Sequence, residues 1–444
     1  MSNISKKFIS FQSLGIAQLV LYLFIYKQSV LISKNYALFP LFLFNLCLLF
    51  LLYYLSLFLL KKWEGEYEKY APLLVSIIGF GLLYRTINLF LPPILSDDLY
   101  YYIWHGKVAA QGLNPYLFTP DSSELSFLRD SVIWPMIPFK NIPPAYPPYI
   151  MSMFWLAFKI GGSSLVKFKL LQLLPELLTF IFGIKLLIEK KMNPAWIMIY
   201  AWCPLPIIEL VGMGHSDAWG VAFLTIFLFY YFKNKMAPAF ISLALATLVK
   251  WIPFLYLPLL FRKLSWKQRF TACLCYLLVF ILLYLPFLSA GKNVLGLLPT
   301  YLKSWEFNGS LYKIIRLGFE RADVTHGVVS GFIILWALFV AWKNDSVKKG
   351  LLSITLAFFL FFHTVYPWYL CWLLPLLLLE TSWAGFAWIF TSFFSYWILI
   401  NYHKQGLWQE NINTLILEYF PVFFLIIFQY FITKKRHLPK ASAF

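Results

Sequence analysis

Two adjacent carboxylates, Asp97 and Asp98, are the residues of this sequence best suited to chemistry. They follow Ser96 and a hydrophobic run, in a chain in which only 13% of the residues are charged. If a helix starts at Ser96, both aspartates lie in its first turn, where free amide N–H groups and the helix dipole favour ionised carboxylates. An ordinary solvated helix start is the alternative. Two ionised carboxylates at a membrane surface can accept a proton, bind a cation, or do both.

Further polar residues lie near the ends of other hydrophobic runs. One group is the tetrapeptide Gly-His-Ser-Asp, which carries His215 and Asp217, and another is Lys250, far from the flanking basic clusters. A lysine at that depth is costly in hydrocarbon unless it is paired or hydrated, with snorkelling to the interface as the alternative. Asp217 could instead cap the following helix, and His215 could hydrogen-bond only to backbone. These groups could bind an anionic substrate.

Two glutamates, Glu176 and Glu209, lie inside apolar runs and are left outside the predicted catalytic set. Glu176 follows Lys169 on the same helical face, which predicts a structural pair. The cysteines also lie in apolar runs and lack the spacing and companions of a zinc site. The cysteines are therefore predicted to be small core residues and not metal ligands.

The elements that must position these residues are membrane helices. The chain has 444 residues, of which 61% are hydrophobic, and its mean hydropathy is +0.72. Repeated apolar runs of about 20 residues predict transmembrane helices. The net charge of +18 does not indicate nucleic acid, because most Lys and Arg residues lie in short clusters between the runs. We predict an all-α polytopic protein with about 12 transmembrane helices plus a half-helix hairpin over residues 236–261, with Lys250 near its tip.

The basic clusters predict how the chain crosses the membrane. If they face the cytoplasm, both termini are cytoplasmic, the first apolar run is a retained span of the inner or plasma membrane, and the aspartate pair is extracytoplasmic. Residues 149–160 are too short to cross comfortably and are predicted to form a helix at the outer surface. We predict a single membrane domain made of N-terminal spans (1–93), a first outer loop (94–162), core helices (163–380) and C-terminal spans (381–444).

The order of the motifs resembles the polytopic GT-C glycosyltransferases, especially the bacterial branch that looks like polyprenol-phosphate-mannose-dependent mannosyltransferases. In that branch the first outer loop opens with Ser-Asp-Asp-x-Tyr-Arg-Tyr-x-Trp-Asp-Gly-Arg, followed by Gly-x-Asn-Pro-Tyr. Residues 96–107 and 112–116 are similar, with Tyr101, His105 and Lys107 at the three departures. The other similar motifs are Tyr146-Pro147-Pro148, residues 214–217, Lys250 followed by Pro253, residues 307–310, and Pro367-Trp368-Tyr369.

The resemblance implies transfer of a hexose, with mannose expected, from a polyprenyl-phosphate-linked donor to a glycan or lipid acceptor at the outer membrane face. By analogy, one aspartate of this pair is expected to be the general base. We take Asp97 as the base and Asp98 as its orienting or cation-binding neighbour, with the exchanged roles as the alternative. A divalent cation at this pair is left open. Tyr101 cannot supply the charge of the family's Arg, so Lys107 or Lys250 would have to compensate. The groups expected to bind the donor phosphate or substrate are Lys107, Arg129, Tyr146, His215, Asp217, Lys250, Tyr366, Trp368 and Tyr369.

Two other functions are compatible with this composition. A flippase or transporter of lipid-linked sugars would share the intramembrane charges, but it should show two related halves, and none is evident. A polymerase of lipid-linked glycan units would be expected to carry several arginines in its outer loops, whereas Arg129, Arg316 and Arg321 are scattered. The aromatic residues Tyr146, Trp368 and Tyr369 could contact sugar or lipid, or could form an aromatic belt at the membrane interface.

Overall fold

The computed structural model describes residues 3–64 and 71–437. The apolar runs form helices because a helix satisfies its own backbone hydrogen bonds where water is excluded. The described part of the chain contains no β-strand, only isolated bridges of Thr364 with Phe307 and Asn308. Its α-helices of eight residues or more are α1 Asn3–Ile32, α2 Phe39–Lys62, α3 Ala71–Asn88, α4 Asp98–Ala110, α5 Pro148–Gly161, α6 Leu165–Glu189, α7 Asp217–Phe232, α8 Met236–Thr247, α9 Trp266–Tyr284, α10 Ala322–Lys343, α11 Val347–Phe361, α12 Trp383–Thr391, α13 Ile398–Gln405 and α14 Ile412–His437.

The all-α class and the transmembrane character are confirmed. Within the described ranges, eight helical segments are long and apolar enough to cross a membrane, or nine if Pro194–Ala201 and Pro204–Gly212, bent by 50°, form one broken span. The predicted count of about 12 is not confirmed. Two of the predicted spans are occupied by α7 and α11, which contain only 16 and 15 residues. At about 1.5 Å per residue, such helices do not reach across a hydrocarbon core of about 30 Å.

The predicted first outer loop contains two helices that pack on each other, α4 and α5. Gly106 permits this packing, because a Cβ atom at this position would lie 2.3 Å from the backbone oxygen of Phe154. Helix α5 also confirms the short helix predicted near residues 149–160. Its position relative to a membrane stays a prediction, as do the predicted boundaries at residues 93, 162 and 380. The packing fixes α4, and the aspartate pair lies at the N-terminal end of this helix.

The break predicted within residues 236–261 is present, and the fold-back of the two segments into a hairpin stays a prediction. Helix α8 ends at Thr247, and a second helical segment follows from Ile252 to Arg262. Lys250 lies in the break between the two segments, as predicted. Helix α8 packs on α7, so the break lies beside the elements that carry the other polar residues.

The predicted pair of Lys169 and Glu176 is wrong. Glu176 instead accepts hydrogen bonds from Arg85 Nε at 2.6 Å and from the Tyr200 hydroxyl at 2.6 Å. Lys169 Nζ donates to the backbone oxygen of Leu91 at 2.5 Å. Spacing along α6 could not reveal these partners, because they come from other helices. The Arg85–Glu176 pair joins α3 to α6 inside the protein.

Candidate active site

The two aspartates have different surroundings. Helix α4 begins at Asp98 and not at Ser96, with Asp97 as the N-cap residue, and the Ser96 hydroxyl accepts the N–H of Asp98 at 3.2 Å. Only Asp98 therefore lies in the first turn, which corrects the sequence expectation for Asp97. The Asp97 side chain is exposed, and its charge acts on the nearby hydroxyls of Tyr36 and Tyr100. The two carboxylates therefore do not form a single site.

Asp98 faces a cluster of polar side chains. Its Oδ2 accepts a hydrogen bond from the Tyr102 hydroxyl at 3.2 Å and lies 3.7 Å from His215 Nδ1. The Tyr102 hydroxyl also lies 2.7 Å from that of Tyr146. The Asp98 side chain is 34% exposed, so the carboxylate is buried on one side and open on the other. It can therefore contact both the cluster and a substrate.

The environment of Asp98 makes it a weaker acid than usual. Burial raises the pKa of Asp98 to about 6, while the hydrogen bond from Tyr102 acts in the opposite direction. The charges of Asp97 and Asp217 raise this pKa further, and the charge of Lys250 lowers it. Asp98 stays largely ionised at neutral pH, as expected, but by a smaller margin than the helix start alone would give. A carboxylate with a pKa just below neutrality suits general-base catalysis.

His215 is completely buried behind Asp98. Its ring stacks on Trp368, with the centroids 3.8 Å apart, and its Nε2 lies 3.4 Å from Glu209 Oε2. Glu209 is also completely buried, and its Oε1 accepts a hydrogen bond from the Tyr396 hydroxyl at 2.9 Å. The sequence analysis excluded Glu209 because it lies inside an apolar run. No local signal links it to His215, since the two residues are not at a helical spacing.

Lys250 lies in the break between two helical segments and is paired with Asp217, the first residue of α7. Its Nζ donates to Asp217 Oδ1 at 2.5 Å, and Trp372 Nε1 donates to the same oxygen at 2.7 Å. The ammonium lies over the ring of Tyr369, 3.2 Å from the centroid. Asp217 is fully buried whereas the Lys250 side chain is 17% exposed. Pairing offsets the cost of placing this lysine in an apolar region.

The aromatic residues predicted near the site surround the cluster and do not form a surface belt. Trp368 is 5% exposed and stacks on Tyr366, with the centroids 4.4 Å apart, as well as on His215. The Tyr369 hydroxyl lies 2.8 Å from that of Tyr301. Because Trp368 has little free surface, its observed contacts position the imidazole and leave little room for a sugar ring.

The Phe-Asn-Gly-Ser motif anchors these aromatic residues. Asn308 adopts a left-handed conformation, and its side-chain amide donates to the backbone oxygen of Val365 at 3.1 Å and to Glu418 Oε2 at 3.0 Å. Phe307 stacks on Tyr366 with the centroids 4.5 Å apart. The motif therefore connects residues 364–366 to α14. It supports the position of Tyr366 and makes no hydrogen bond to Asp98 or Lys250 among the described residues.

Lys107 and Arg129 are not brought to the cluster. Lys107 forms an ion pair with Asp130 at 2.8 Å and lies about 13 Å along α4 from Asp98, at a rise of about 1.5 Å per residue. Arg129 donates to the backbone oxygens of Asp121 and Ser122 and stacks on a tryptophan. Both cations hold the segment between α4 and α5. Their predicted contact with a donor phosphate gains no support from this geometry.

A metal site is not evident among the described residues. No group of three or more His, Cys, Asp or Glu side chains in that part of the chain is arranged to hold a metal ion. A divalent cation at Asp97 and Asp98 stays a prediction, and their separate surroundings do not favour shared coordination.

Sequence comparisons find relatives for the part of the chain that carries most of the cluster's charged residues. Residues 74–265 match the model of a family described as alpha-(1->6)-mannopyranosyltransferase, N-terminal domain. Over 201 residues the chain is 24% identical to alpha-(1->6)-mannopyranosyltransferase A of Mycobacterium tuberculosis, a stretch that covers 44% of this chain and 37% of that relative. The chain thus matches little more than a third of the relative's length. These matches support a mannosyltransferase-like protein, and the matched segment carries Asp98, Glu209, His215, Asp217 and Lys250.

Proposed function

We propose that this mannosyltransferase-like protein is a GT-C-type membrane hexosyltransferase that moves a hexose from a polyprenyl-phosphate donor to a glycan or lipid acceptor. One observation carries the proposal. A half-buried carboxylate, Asp98, and a paired lysine, Lys250, lie around one cluster inside the segment that matches the mannosyltransferase family. Sugar transfer from a lipid phosphate needs a base for the acceptor and a cation for the leaving phosphate.

Asp98 is the general base in this proposal. Its carboxylate takes the proton of the acceptor hydroxyl as the hydroxyl oxygen forms a bond to the anomeric carbon and the bond to the polyprenyl phosphate breaks. Asp98 is preferred to Asp97 because it is the aspartate held by Tyr102 and adjacent to His215. The roles expected from the sequence are therefore exchanged.

Lys250 is the proposed partner of the leaving phosphate. An ammonium group has three N–H donors, and Asp217 occupies one of them. The bond from Trp372 to Asp217 fixes this carboxylate and, through it, the ammonium. A preorganised cation of this kind stabilises charge that develops on the leaving oxygen without further reorganisation.

The activity can be tested with purified protein and two radiolabelled donors, polyprenyl-phosphate-mannose and polyprenyl-phosphate-glucose. Envelope glycans and lipids serve as the acceptor mixture. We expect labelled product and free polyprenyl phosphate from one donor, with the mannose donor preferred. If neither donor is consumed while labelled lipid crosses the bilayer of proteoliposomes, the protein is a flippase and the proposal fails.

The cluster is proposed to face the extracytoplasmic side. It lies at the start of α7, whereas Lys233 and Lys235 follow the end of that helix. Single cysteines at Ser123 and Lys235, both exposed, can be introduced into a variant without the native cysteines. A membrane-impermeant thiol reagent added to intact cells should label the Ser123→Cys variant and not the Lys235→Cys variant. The reverse labelling pattern would place the cluster on the cytoplasmic side of the membrane.

A further inference from the structure

Glu209 has no role in the proposed transfer, yet it contacts His215, which in turn lies next to the proposed base, Asp98. Glu209 and His215 are both 0% exposed, and the atoms that face each other, Oε2 and Nε2, are 3.4 Å apart. Neither atom has a hydrogen-bond partner of good geometry among the described residues. Buried polar atoms are rarely left unpaired, because each one loses its hydration. A small movement of either side chain would join this pair.

The backbone conformation of residues 207–215 brings Glu209 and His215 together. Residues Ile207–Gly212 form a π-helical turn, which is rare and is often found at functional sites. The N–H of His215 donates to the backbone oxygen of Glu209 at 3.2 Å. Between them Gly214 has a φ of +79°, a conformation that favours glycine. This turn folds the chain back so that His215 lies between Glu209 and Asp98.

The burial of Glu209 and His215 determines which of the two donates the hydrogen bond between them. Glu209 has no Lys or Arg partner in the described residues, and a buried carboxyl group without a counter-charge is more stable in its neutral form. Burial, and to a lesser degree the charge of Lys250, hold the pKa of His215 well below its usual range, so this imidazole is also neutral. A neutral imidazole has one N–H donor and one acceptor nitrogen.

We propose that Glu209 is a positioning residue that donates from Oε2 to His215 Nε2 and so leaves the His215 Nδ1–H directed at the Tyr102 hydroxyl, 3.4 Å away. The donors then run in one direction, from the Tyr396 hydroxyl through Glu209, His215 and the Tyr102 hydroxyl to the Asp98 carboxylate. The chain holds Asp98 in its ionised form and fixes its orientation toward the acceptor. This inference rests on the proposed role of Asp98 as the base.

Two substitutions separate positioning from packing. Glu209→Gln keeps a donor that can reach Nε2, whereas Glu209→Leu has a similar size and no donor. We expect Glu209→Gln to keep near-normal kcat, and Glu209→Leu to lower kcat roughly ten- to a hundredfold with donor KM unchanged, the range found when a residue that orients a metal-binding histidine is removed. Equal kcat for Glu209→Leu and the unchanged protein would overturn the inference. So would a Glu209→Gln variant as impaired as Glu209→Leu.

The pH profile gives a readout that a packing defect would not move. Weakening the hydrogen bond that Tyr102 donates to the ionised form of Asp98 raises the pKa of that carboxyl, so the acid limb of kcat/KM should move to higher pH in Glu209→Leu. An unmoved limb would contradict the inference. The titratable groups that act on Asp98 or His215 are Asp97, Tyr101, Tyr102, Tyr146, Glu209, Asp217, Lys250, Tyr366 and Tyr396.

The His215 tautomer can be measured independently of any sugar transfer. Nitrogen-15 NMR of protein labelled only at histidine, with His215 assigned by comparison with His215→Gln, should show the proton on Nδ1. A proton on Nε2 would overturn the inference even if Glu209→Leu fails to fold. If no sugar is transferred but the proton is on Nδ1, the proposed function fails while the Glu209–His215 bond stands.

Discussion

Two buried clusters of charge in this protein differ in how completely they are satisfied. In the Arg85–Glu176 pair, both side chains are at most 1% exposed, and Arg85 also donates to the backbone oxygens of Gly81 and Ala201. Tyr200 donates to the second carboxylate oxygen of Glu176. In the cluster around Asp98, the carboxylate is 34% exposed. Buried atoms there lack partners in the described residues, namely Glu209 Oε2, His215 Nε2 and Asp217 Oδ2.

The difference separates a structural role from a chemical one. A buried ion pair with every donor and acceptor used has nothing left with which to bind a substrate, so its effect is to hold α3 against α6. A cluster with a half-exposed carboxylate, a paired lysine and unused polar atoms keeps the capacity to bind and to exchange protons. Charge burial alone does not identify the active site in this membrane protein.

Asp98→Asn should give the largest effect on activity. The change keeps the size of the side chain and removes proton acceptance, so we expect turnover to fall about 10²- to 10⁴-fold, the usual value of general-base catalysis. Thermal stability in detergent should be unchanged. Asp97→Asn is the matched control and should cost less than about tenfold, because the Asp97 side chain is exposed and makes no capping hydrogen bond. The opposite ranking would restore Asp97 as the base.

Arg85→Met should give a large effect on stability and little effect on transfer per folded molecule. The change leaves Glu176 as an unpaired buried charge, which costs about 3–5 kcal/mol in other proteins. Thermal unfolding of the purified variant measures the loss. The double variant Arg85→Met/Glu176→Met removes both charges and should recover most of it. A folded Arg85→Met protein that had lost turnover would place this pair in the active site and break the comparison.

Lys250→Met should lower turnover by about 10²- to 10³-fold, the effect of removing one preorganised donor to a developing oxyanion. The variant also leaves Asp217 unpaired, so Lys250→Met/Asp217→Asn is the control that removes the stranded charge. We expect the double variant to regain stability and not activity. Recovery of activity in the double variant would show that Lys250 only neutralises Asp217.

The pH dependence should show the smallest effect and should locate the base. With the pKa of Asp98 raised to about 6, kcat/KM should be constant above pH 7 and fall about tenfold per pH unit below pH 6. The pH dependence of the free energy of unfolding has the opposite sign. The folded protein binds the Asp98 proton more tightly than the unfolded chain does, so this group's contribution to stability falls as pH rises toward 6. A profile flat to pH 4 would contradict the assignment of Asp98.

Local sequence determined the helical class, the break at Lys250 and the positions of the key residues. Hydrophobic runs require helices in a membrane, so the all-α class followed from composition. The break at Lys250 followed from basic clusters on both sides of a single apolar run. The motif order also placed Asp98, His215, Asp217 and Lys250 in the candidate site, and the fold brings these four together.

Tertiary structure alone decided which of these residues are partners. The sequence could not show that Asp217 pairs with Lys250, that Glu176 pairs with Arg85, or that Lys107 is held by Asp130. Nor could it distinguish Asp98 from Asp97, whose side chains diverge only because α4 begins between them. Glu209 was excluded because apolar neighbours in sequence say nothing about the polar atoms of other helices. Helical periodicity reports contacts within about one turn, whereas pairing inside a bundle depends on which helices pack together.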